Sequence, residues 1–280
     1  MRETMTVVPT VDGKLYYLDS EGGAWRMYYF IEGAKCFDRA DTPELFAASA
    51  HGFGKFQRML ADFPAHTLHE VLEKFHDTGE RLRQLREAIA QNASGRVDSA
   101  KAEIDFMLSR EGYVHLITDA IADGSVPLRV THNDTKLNNV MLDAQTNEPV
   151  CVIDLDTVMP GSMLYDFGDA LRFGASTGAE DETDLSKIEF DLDYFEAFTK
   201  AFLEEMGESI TPRERELLPM SAILMTLECG MRFLADHING DVYYRIHREN
   251  QNLDRARTQC KLVADMEKKI DAMKAIVAKY

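Results

Sequence analysis

Residues 130–156 read VTHNDTKLNNVMLDAQTNEPVCVIDLD, and the rest of the chain is interpreted around them. Two short apolar runs, 140–142 and 150–153, flank a turn-rich segment that ends in Pro149. Apolar runs of this length around turn residues predict a β-hairpin. The preceding residues, 132–139, are too polar for a core strand and too short for a helix, so they predict a loop.

The hairpin gathers polar side chains at one end. Asn139 leads into the first strand and Asp154 follows the second, while Asp134 lies on the loop over that end. Amide and carboxylate oxygens suit Mg²⁺, which keeps water and phosphate among its ligands. A separate carboxylate suits a general base that takes a proton from a hydroxyl nucleophile. The pattern H-x-D-x-x-x-x-N before a strand ending in Asp is typical of kinase-like phosphoryl transfer. The alternative is a loop in which Asn and Asp serve only as caps.

The bulk composition excludes several classes of protein. The chain has 280 residues, of which 45% are hydrophobic, so one large domain or two small ones can bury a substantial core. A net charge of -17 argues against nucleic acid and anionic membranes as partners. The start, MRETMTVV, lacks the apolar segment of a signal peptide. Four cysteines without a C-x-x-C pair indicate reduced thiols, so we expect a cytoplasmic protein. We expect it to be a monomer or homodimer.

The flanking sequence predicts an α+β protein. Residues 6–31 predict about three strands, with turns at Asp12-Gly13 and Gly22-Gly23 and a last strand over 25–31. The stretch Thr42-Pro43-Glu44 predicts the start of a helix, and GFG at residues 52–54 is interpreted as helix packing, not as a nucleotide loop. Further helices are expected over 67–124, 191–206, from Thr211 onwards and over 252–279. The apolar run 217–234 predicts a core helix and not a membrane span.

Three segments, HNDTKLNNV, VIDLDTVMPG and YDFGDA, resemble the aminoglycoside phosphotransferase and choline kinase superfamily. Within it the chain is most similar to bacterial N-acetylhexosamine 1-kinases, from WRMYYFI through NLDRARTQ. The resemblance implies a protein-kinase-like α+β fold, with a β lobe and hinge over 1–33 and a helical lobe over 34–280. It also implies ATP as phosphoryl donor, Mg²⁺ as cofactor and an N-acetylhexosamine as acceptor, phosphorylated at its anomeric hydroxyl.

The resemblance assigns roles around the loop. It implies Asp134 as the catalytic base and Asn139 and Asp154 as Mg²⁺ ligands. Lys136 and Asp156 lie beside them and are expected near phosphate or metal, and His132 either braces the loop or transfers a proton. The carboxylate in YDFGDA, Asp166, begins a helix and is interpreted as a brace, because Asp154 fits the metal-binding role better.

Further positions are implied for the two substrates. The resemblance points to Arg232 and Tyr243 for the sugar, and to Phe30, Ile31 and Glu32 as a hinge whose backbone contacts adenine. Two alternatives remain open from the residues themselves. Arg232 is spaced to form an i,i+4 ion pair with Glu228, and Tyr243 could fill the core instead of stacking on a sugar.

The chain departs from the family pattern at its start. Neither a glycine-rich phosphate loop nor a strand lysine is apparent, because Lys14 follows a turn glycine. We therefore expect the start of the N-terminal lobe to be missing, and an alternative function is a catalytically impaired nucleotide- or sugar-binding module. A minor alternative is a D-x-D-x-T phosphatase with Asp154 as nucleophile, which would need several parallel strands.

Overall fold

A computed structural model describes residues 2–280. The strands are β1 (Tyr17–Leu18), β2 (Ala24–Trp25), β3 (Ala34–Lys35), β4 (Arg129–Thr131), β5 (Val140–Asp143), β6 (Pro149–Val152) and β7 (Met159–Gly161). The helices are α1 (Pro43–Met59), α2 (Thr78–Gln91), α3 (Lys101–Leu108), α4 (Leu116–Ala122), α5 (Met163–Gly174), α6 (Leu192–Met206), α7 (Pro212–Asn239) and α8 (Gln251–Val277). The fold class is α+β, which confirms the expectation from sequence.

The helices build one core around α7. This helix packs against α2, α5 and α8, while α1 packs along α6. Between them lies a cluster of phenylalanine rings with almost no solvent exposure, whose members are Phe46, Phe167, Phe195, Phe198 and Phe202. Helix α7 is long and apolar enough to cross a membrane, but 83% of its most apolar 18-residue stretch is buried inside the protein. It is therefore a core helix, as the sequence predicted.

The predicted hairpin is confirmed. Strands β5 and β6 pair antiparallel with Met141 opposite Cys151, and β3 adds to the other edge of β5. A second pair, β4 with β7, places Thr131 opposite Met159 and so holds the two ends of segment 131–159 together. Every strand pair within residues 2–280 is antiparallel. This excludes the D-x-D-x-T phosphatase alternative, which needs parallel strands.

The N-terminal segment contains less strand than predicted. Both turns form, with Gly13 and Gly22 at positive φ, but β2 ends at Trp25. The prediction of a strand over 25–31 is therefore wrong. Beyond Trp25, an isolated bridge between Val7 and Tyr28 continues the pairing. The physical reason is exposure, because most apolar side chains of this segment face solvent. Alternating apolar residues stabilise a strand by packing one of its faces, and this segment has no buried face.

Helix α1 begins where predicted and lies unusually close to its neighbours. The side chain of Thr42 accepts from the Leu45 amide, and Pro43 occupies the first turn. A Cβ at Gly52 would lie 2.7 Å from Val140, and one at Gly54 would lie 2.8 Å from Glu205. The two glycines therefore let α1 approach β5 and α6, which confirms helix packing for GFG.

Candidate active site

The loop between β4 and β5 is fixed by one buried carboxylate. Asp166, in the first turn of α5, accepts the backbone amides of His132 and Asn133 at 2.9 and 2.7 Å and the side-chain amide of Gln57 at 2.6 Å. Its backbone carbonyl accepts the hydroxyl of Thr135 at 2.6 Å. Burial raises the pKa of Asp166, although these donated hydrogen bonds favour its charged form. Asp166 thus holds three loop residues, His132, Asn133 and Thr135, in place.

His132 links the loop to the far strand of the hairpin. Its Nε2 donates to the Ile153 carbonyl at 2.8 Å, and its Nδ1 accepts the amide of Asp134 at 3.3 Å. The Thr157 hydroxyl donates to the His132 carbonyl at 2.7 Å. Because one ring nitrogen faces a donor and the other an acceptor, the ring is in its neutral Nε2–H form. This geometry is that of a brace.

Asp134 is held from two sides. The Asn139 side-chain amide donates to the Asp134 carbonyl at 2.7 Å and to its Oδ2 at 3.1 Å. The ammonium of Lys136 lies 2.8 Å from Oδ1. Burial would lower the pKa of Lys136, but the hydrogen bond and charge of Asp134 raise it. The Asp134 carboxylate is partly exposed, and these contacts define its orientation.

Asp154 lies next to Asn139 through the backbone. The Ile153 amide donates to the Asn139 carbonyl at 2.9 Å, and Asp154 follows in the left-handed conformation with φ 59°. Asp154 is exposed. Because both hydrogens of the Asn139 amide go to Asp134, its Oδ1 is the atom that remains for a cation. The structure thus brings Asp134, Asn139 and Asp154 to one end of the hairpin.

Asp156 and the three residues predicted to form the hinge lie in a different environment. The carboxylate of Asp156 forms an ion pair with Arg26 of the N-terminal segment. Phe30 is 83% exposed and, with Ile31 and Glu32, lines a shallow depression of about 330 Å³. The ion pair ties the N-terminal segment to the turn that follows Asp154.

Arg232 and Tyr243, the two residues predicted to bind the sugar, line one cleft of about 480 Å³ between α2 and the end of α7. The Arg232 guanidinium lies over the rings of Phe75 and Tyr244, at 5.1 and 5.7 Å from their centroids. Tyr243 is 71% exposed and meets Tyr244 edge to face. Tyr243 therefore does not fill the core.

The alternative prediction of an ion pair between Arg232 and Glu228 is wrong. Both Glu228 oxygens are taken by other side chains, with His76 at 2.8 Å and the Thr78 hydroxyl at 2.7 Å. Within residues 2–280 no carboxylate forms an ion pair with Arg232. The guanidinium is therefore oriented by aromatic rings, which leaves its hydrogen-bond donors available.

A family model described as the phosphotransferase enzyme family matches residues 8–205. This chain belongs to that family. The solved structures agree in fold. An aminopropanol kinase associated with a microcompartment is 18% identical over 97% of this chain and 77% of its own, with a TM-score of 0.63. An aminoglycoside phosphotransferase from Alicyclobacillus acidocaldarius is 13% identical over 100% and 79%, with a TM-score of 0.61. A choline kinase from Cryptosporidium parvum is 14% identical over 99% and 77%, with a TM-score of 0.60.

The donor atoms fit the divalent cation that a phosphotransferase implies. Asn139 Oδ1 and the Asp154 carboxylate are hard oxygen donors, which Mg²⁺ prefers. Within residues 2–280 no group of three His, Cys, Asp or Glu side chains converges as a metal site. Mg²⁺ bound by Asn139 and Asp154 alone would take its remaining ligands from water and phosphate, as is usual beside a nucleotide.

Two residues that shape this candidate site, Gln57 and Asp236, were not predicted from the sequence. Gln57 is a polar residue on the buried face of α1, and only that mismatch could have indicated its contact with Asp166. Asp236 accepts the backbone amides of Val242, Tyr243 and Tyr244 at 2.8–3.0 Å and so shapes the rim of the aromatic cleft. No local motif marks Asp236, because its partners follow only after α7 ends.

Proposed function

We propose that this chain transfers the γ-phosphoryl group of ATP to the anomeric hydroxyl of an N-acetylhexosamine. The observation that carries the proposal is the Asp134 carboxylate, oriented by Asn139 and Lys136 on a loop fixed by Asp166. A carboxylate on a rigid loop beside hard oxygen donors is the arrangement that phosphoryl transfer needs, since its catalysis is positioning and electrostatics.

In the proposed reaction, Asp134 acts as the general base. The acceptor oxygen forms a bond to the γ-phosphorus while the bond from that phosphorus to the ADP oxygen breaks. The hydroxyl proton passes to the Asp134 carboxylate. Lys136 lies beside this carboxylate and supplies a positive charge toward the transferred group. When bound by Asn139 and Asp154, Mg²⁺ would neutralise phosphate charge.

The acceptor assignment rests on the aromatic cleft and on the family resemblance. Exposed aromatic faces stack on sugar rings, and Arg232 offers donors to hydroxyl or acetamide oxygens. Phe75 lines the cleft, and the next residue, His76, contacts Asn133 on the proposed catalytic loop, residues 132–139. Structures similar in fold carry the names aminopropanol kinase, choline kinase and aminoglycoside phosphotransferase, which supports a small hydroxyl compound as acceptor.

The nucleotide is proposed to bind at the hinge. The backbone around Phe30, Ile31 and Glu32 follows the paired segment 27–29 and precedes β3, so it links the N-terminal strands to the hairpin sheet. The protein would act alone or as a homodimer in the cytoplasm, without nucleic acid or membrane.

A binding module without turnover is the second candidate. Its support is Lys14, the lysine nearest the N-terminal turns, which is exposed and paired with Asp12 at 2.9 Å. A lysine engaged in this way does not supply the strand cation that clamps nucleotide phosphates in kinases.

The test is direct turnover by the purified chain. It is incubated with ATP, Mg²⁺ and a panel of N-acetylhexosamines, choline and aminoglycosides, while ADP and sugar 1-phosphate are measured. We expect sugar 1-phosphate from the wild type and a loss of about 10²–10⁴-fold in Asp134→Asn. Turnover with choline or aminoglycosides alone would overturn the sugar assignment. No turnover above Asp134→Asn with any acceptor would favour the binding module.

A further inference from the structure

A buried histidine contacts the catalytic loop from outside its sequence motif. His76 precedes α2 and is 8% exposed. Its Nε2 lies 3.1 Å from the carbonyl oxygen of Asn133, and its Nδ1 lies 2.8 Å from Glu228 Oε1 on α7. Thr78 donates to the other oxygen of Glu228. Three separate elements therefore meet at one ring.

The partners of His76 fix where its protons are. A backbone carbonyl has no proton to give, so the bond to Asn133 requires a hydrogen on Nε2. The bond to Glu228 then holds one further proton between Nδ1 and Oε1. Burial alone would lower the pKa of His76, but the charge and hydrogen bond of Glu228 raise it, with a smaller contribution from Asp169. Nε2 is therefore a donor to Asn133, and Nδ1 shares a proton with Glu228.

The contact acts on the peptide unit that carries the proposed base. This unit joins Asn133 to Asp134; its C=O accepts from His76, and its N–H donates to His132 Nδ1. Because a peptide unit is planar, fixing both polar atoms fixes the direction in which the Asp134 Cα leaves it. Asn133 also has φ 65°, a left-handed conformation that needs its surroundings to hold it.

We propose that His76, held by Glu228, is a positioning residue that sets the orientation of Asp134 through the Asn133 carbonyl. The inference rests on the proposed role of Asp134 as base. His76 does not touch the reacting atoms, so its effect falls on the chemical step and not on substrate binding. The other charged groups around the pair are Asp169 on α5, Arg81 on α2 and Arg232 on α7.

The variants separate positioning from packing. His76→Phe keeps a ring against Phe75 and Tyr165 but removes both hydrogen bonds. Glu228→Gln is the conservative control, because its amide nitrogen can donate to Nδ1 while Nε2–H still reaches Asn133. Glu228→Leu removes the partner altogether. We expect His76→Phe and Glu228→Leu to lower kcat about 10²-fold with KM for ATP and N-acetylglucosamine within about threefold, and Glu228→Gln to retain most of the activity.

Two measurements need no turnover. In the ¹⁵N-labelled wild type, two-bond nitrogen–proton spectra should show a proton on His76 Nε2 from about pH 6 to 8. The Asp134 amide should exchange with solvent about tenfold faster in His76→Phe than in the wild type. An unprotonated Nε2, unchanged exchange, or a wild-type kcat in a folded His76→Phe would each overturn the inference. If the wild type fails to phosphorylate any sugar, the proposed function fails, while nitrogen protonation and amide exchange still decide the role of His76.

Discussion

The side-chain amide of Asn139 donates to both the backbone carbonyl and the carboxylate of Asp134, at 2.7 and 3.1 Å. One side chain therefore fixes the direction of the proposed base and leaves its own oxygen, Oδ1, without a hydrogen-bond role toward Asp134. The motif spacing suggested two functions, proton acceptance by Asp134 and cation binding by Asn139. The Asn139 side chain couples them, because the same amide group contacts the base and carries the candidate ligand oxygen.

Asn139→Ala should lower kcat about 10²-fold or more, because Asp134 loses its orienting donor and the cation loses an oxygen ligand. Steady-state kinetics at saturating ATP and acceptor measure this loss. Asn138→Ala is the matched control, since the neighbouring amide makes no hydrogen bond to Asp134 within residues 2–280. Equal effects of the two substitutions would contradict the assignment.

Asp154→Asn should raise the Mg²⁺ concentration needed for half-maximal activity by about tenfold or more, because a charged ligand becomes a neutral one. Asp156→Asn should leave that concentration within about twofold, since this nearby carboxylate forms an ion pair with Arg26. A magnesium titration of both variants at fixed ATP distinguishes them. The reverse order would place the cation at Asp156.

Arg232→Gln should raise KM for the sugar about 10–100-fold while KM for ATP stays near the wild-type value, because a charged hydrogen-bond donor to the acceptor is lost. Arg86→Gln is the control, since this arginine lies on α2 in an exposed pair with Glu111. An increase in KM for ATP instead would show that the aromatic cleft does not hold the acceptor.

Glu214→Ala should lower the free energy of unfolding by about 3–5 kcal/mol, because it leaves the buried Arg129 guanidinium without its bidentate partner at 2.6 and 2.8 Å. The substitution also removes the capping box at the start of α7. Urea denaturation measures the change. Glu216→Ala removes an exposed partner of Arg213 and should cost less than about 1 kcal/mol. Similar costs for both would contradict the importance of the buried pair.

Stability should fall below about pH 6.5 because of His237. Burial lowers the pKa of this residue, and within residues 2–280 neither ring nitrogen has a hydrogen-bond partner. In acid the unfolded chain therefore binds a proton that the folded chain does not, so the free energy of unfolding decreases as pH falls. His237→Gln should flatten this dependence between about pH 5 and 6.5 in urea titrations. The exposed His66→Gln should leave the slope unchanged.

The hairpin and the helix starts could be predicted because their causes are local. The apolar runs 140–142 and 150–153 with their turn lie within one short stretch, and so do the capping pairs at Thr42 and Thr211. Such signals depend on neighbours in sequence, and the structure reproduces them. The strand predicted over 25–31 failed since its alternation had no buried face to pack against.

The sequence by itself determined the loop chemistry: Asp134, Asn139 and Asp154 converge because one hairpin carries them. Only the tertiary structure decided what holds that loop. Gln57, His76 and Asp166 come from different helices or their edges, and their contacts depend on how α1, α2 and α5 pack. It also decided that Glu228 pairs with His76 and not with Arg232. A hairpin fixes its own ends through short-range hydrogen bonds, whereas the partner of a buried charge is chosen by the whole core.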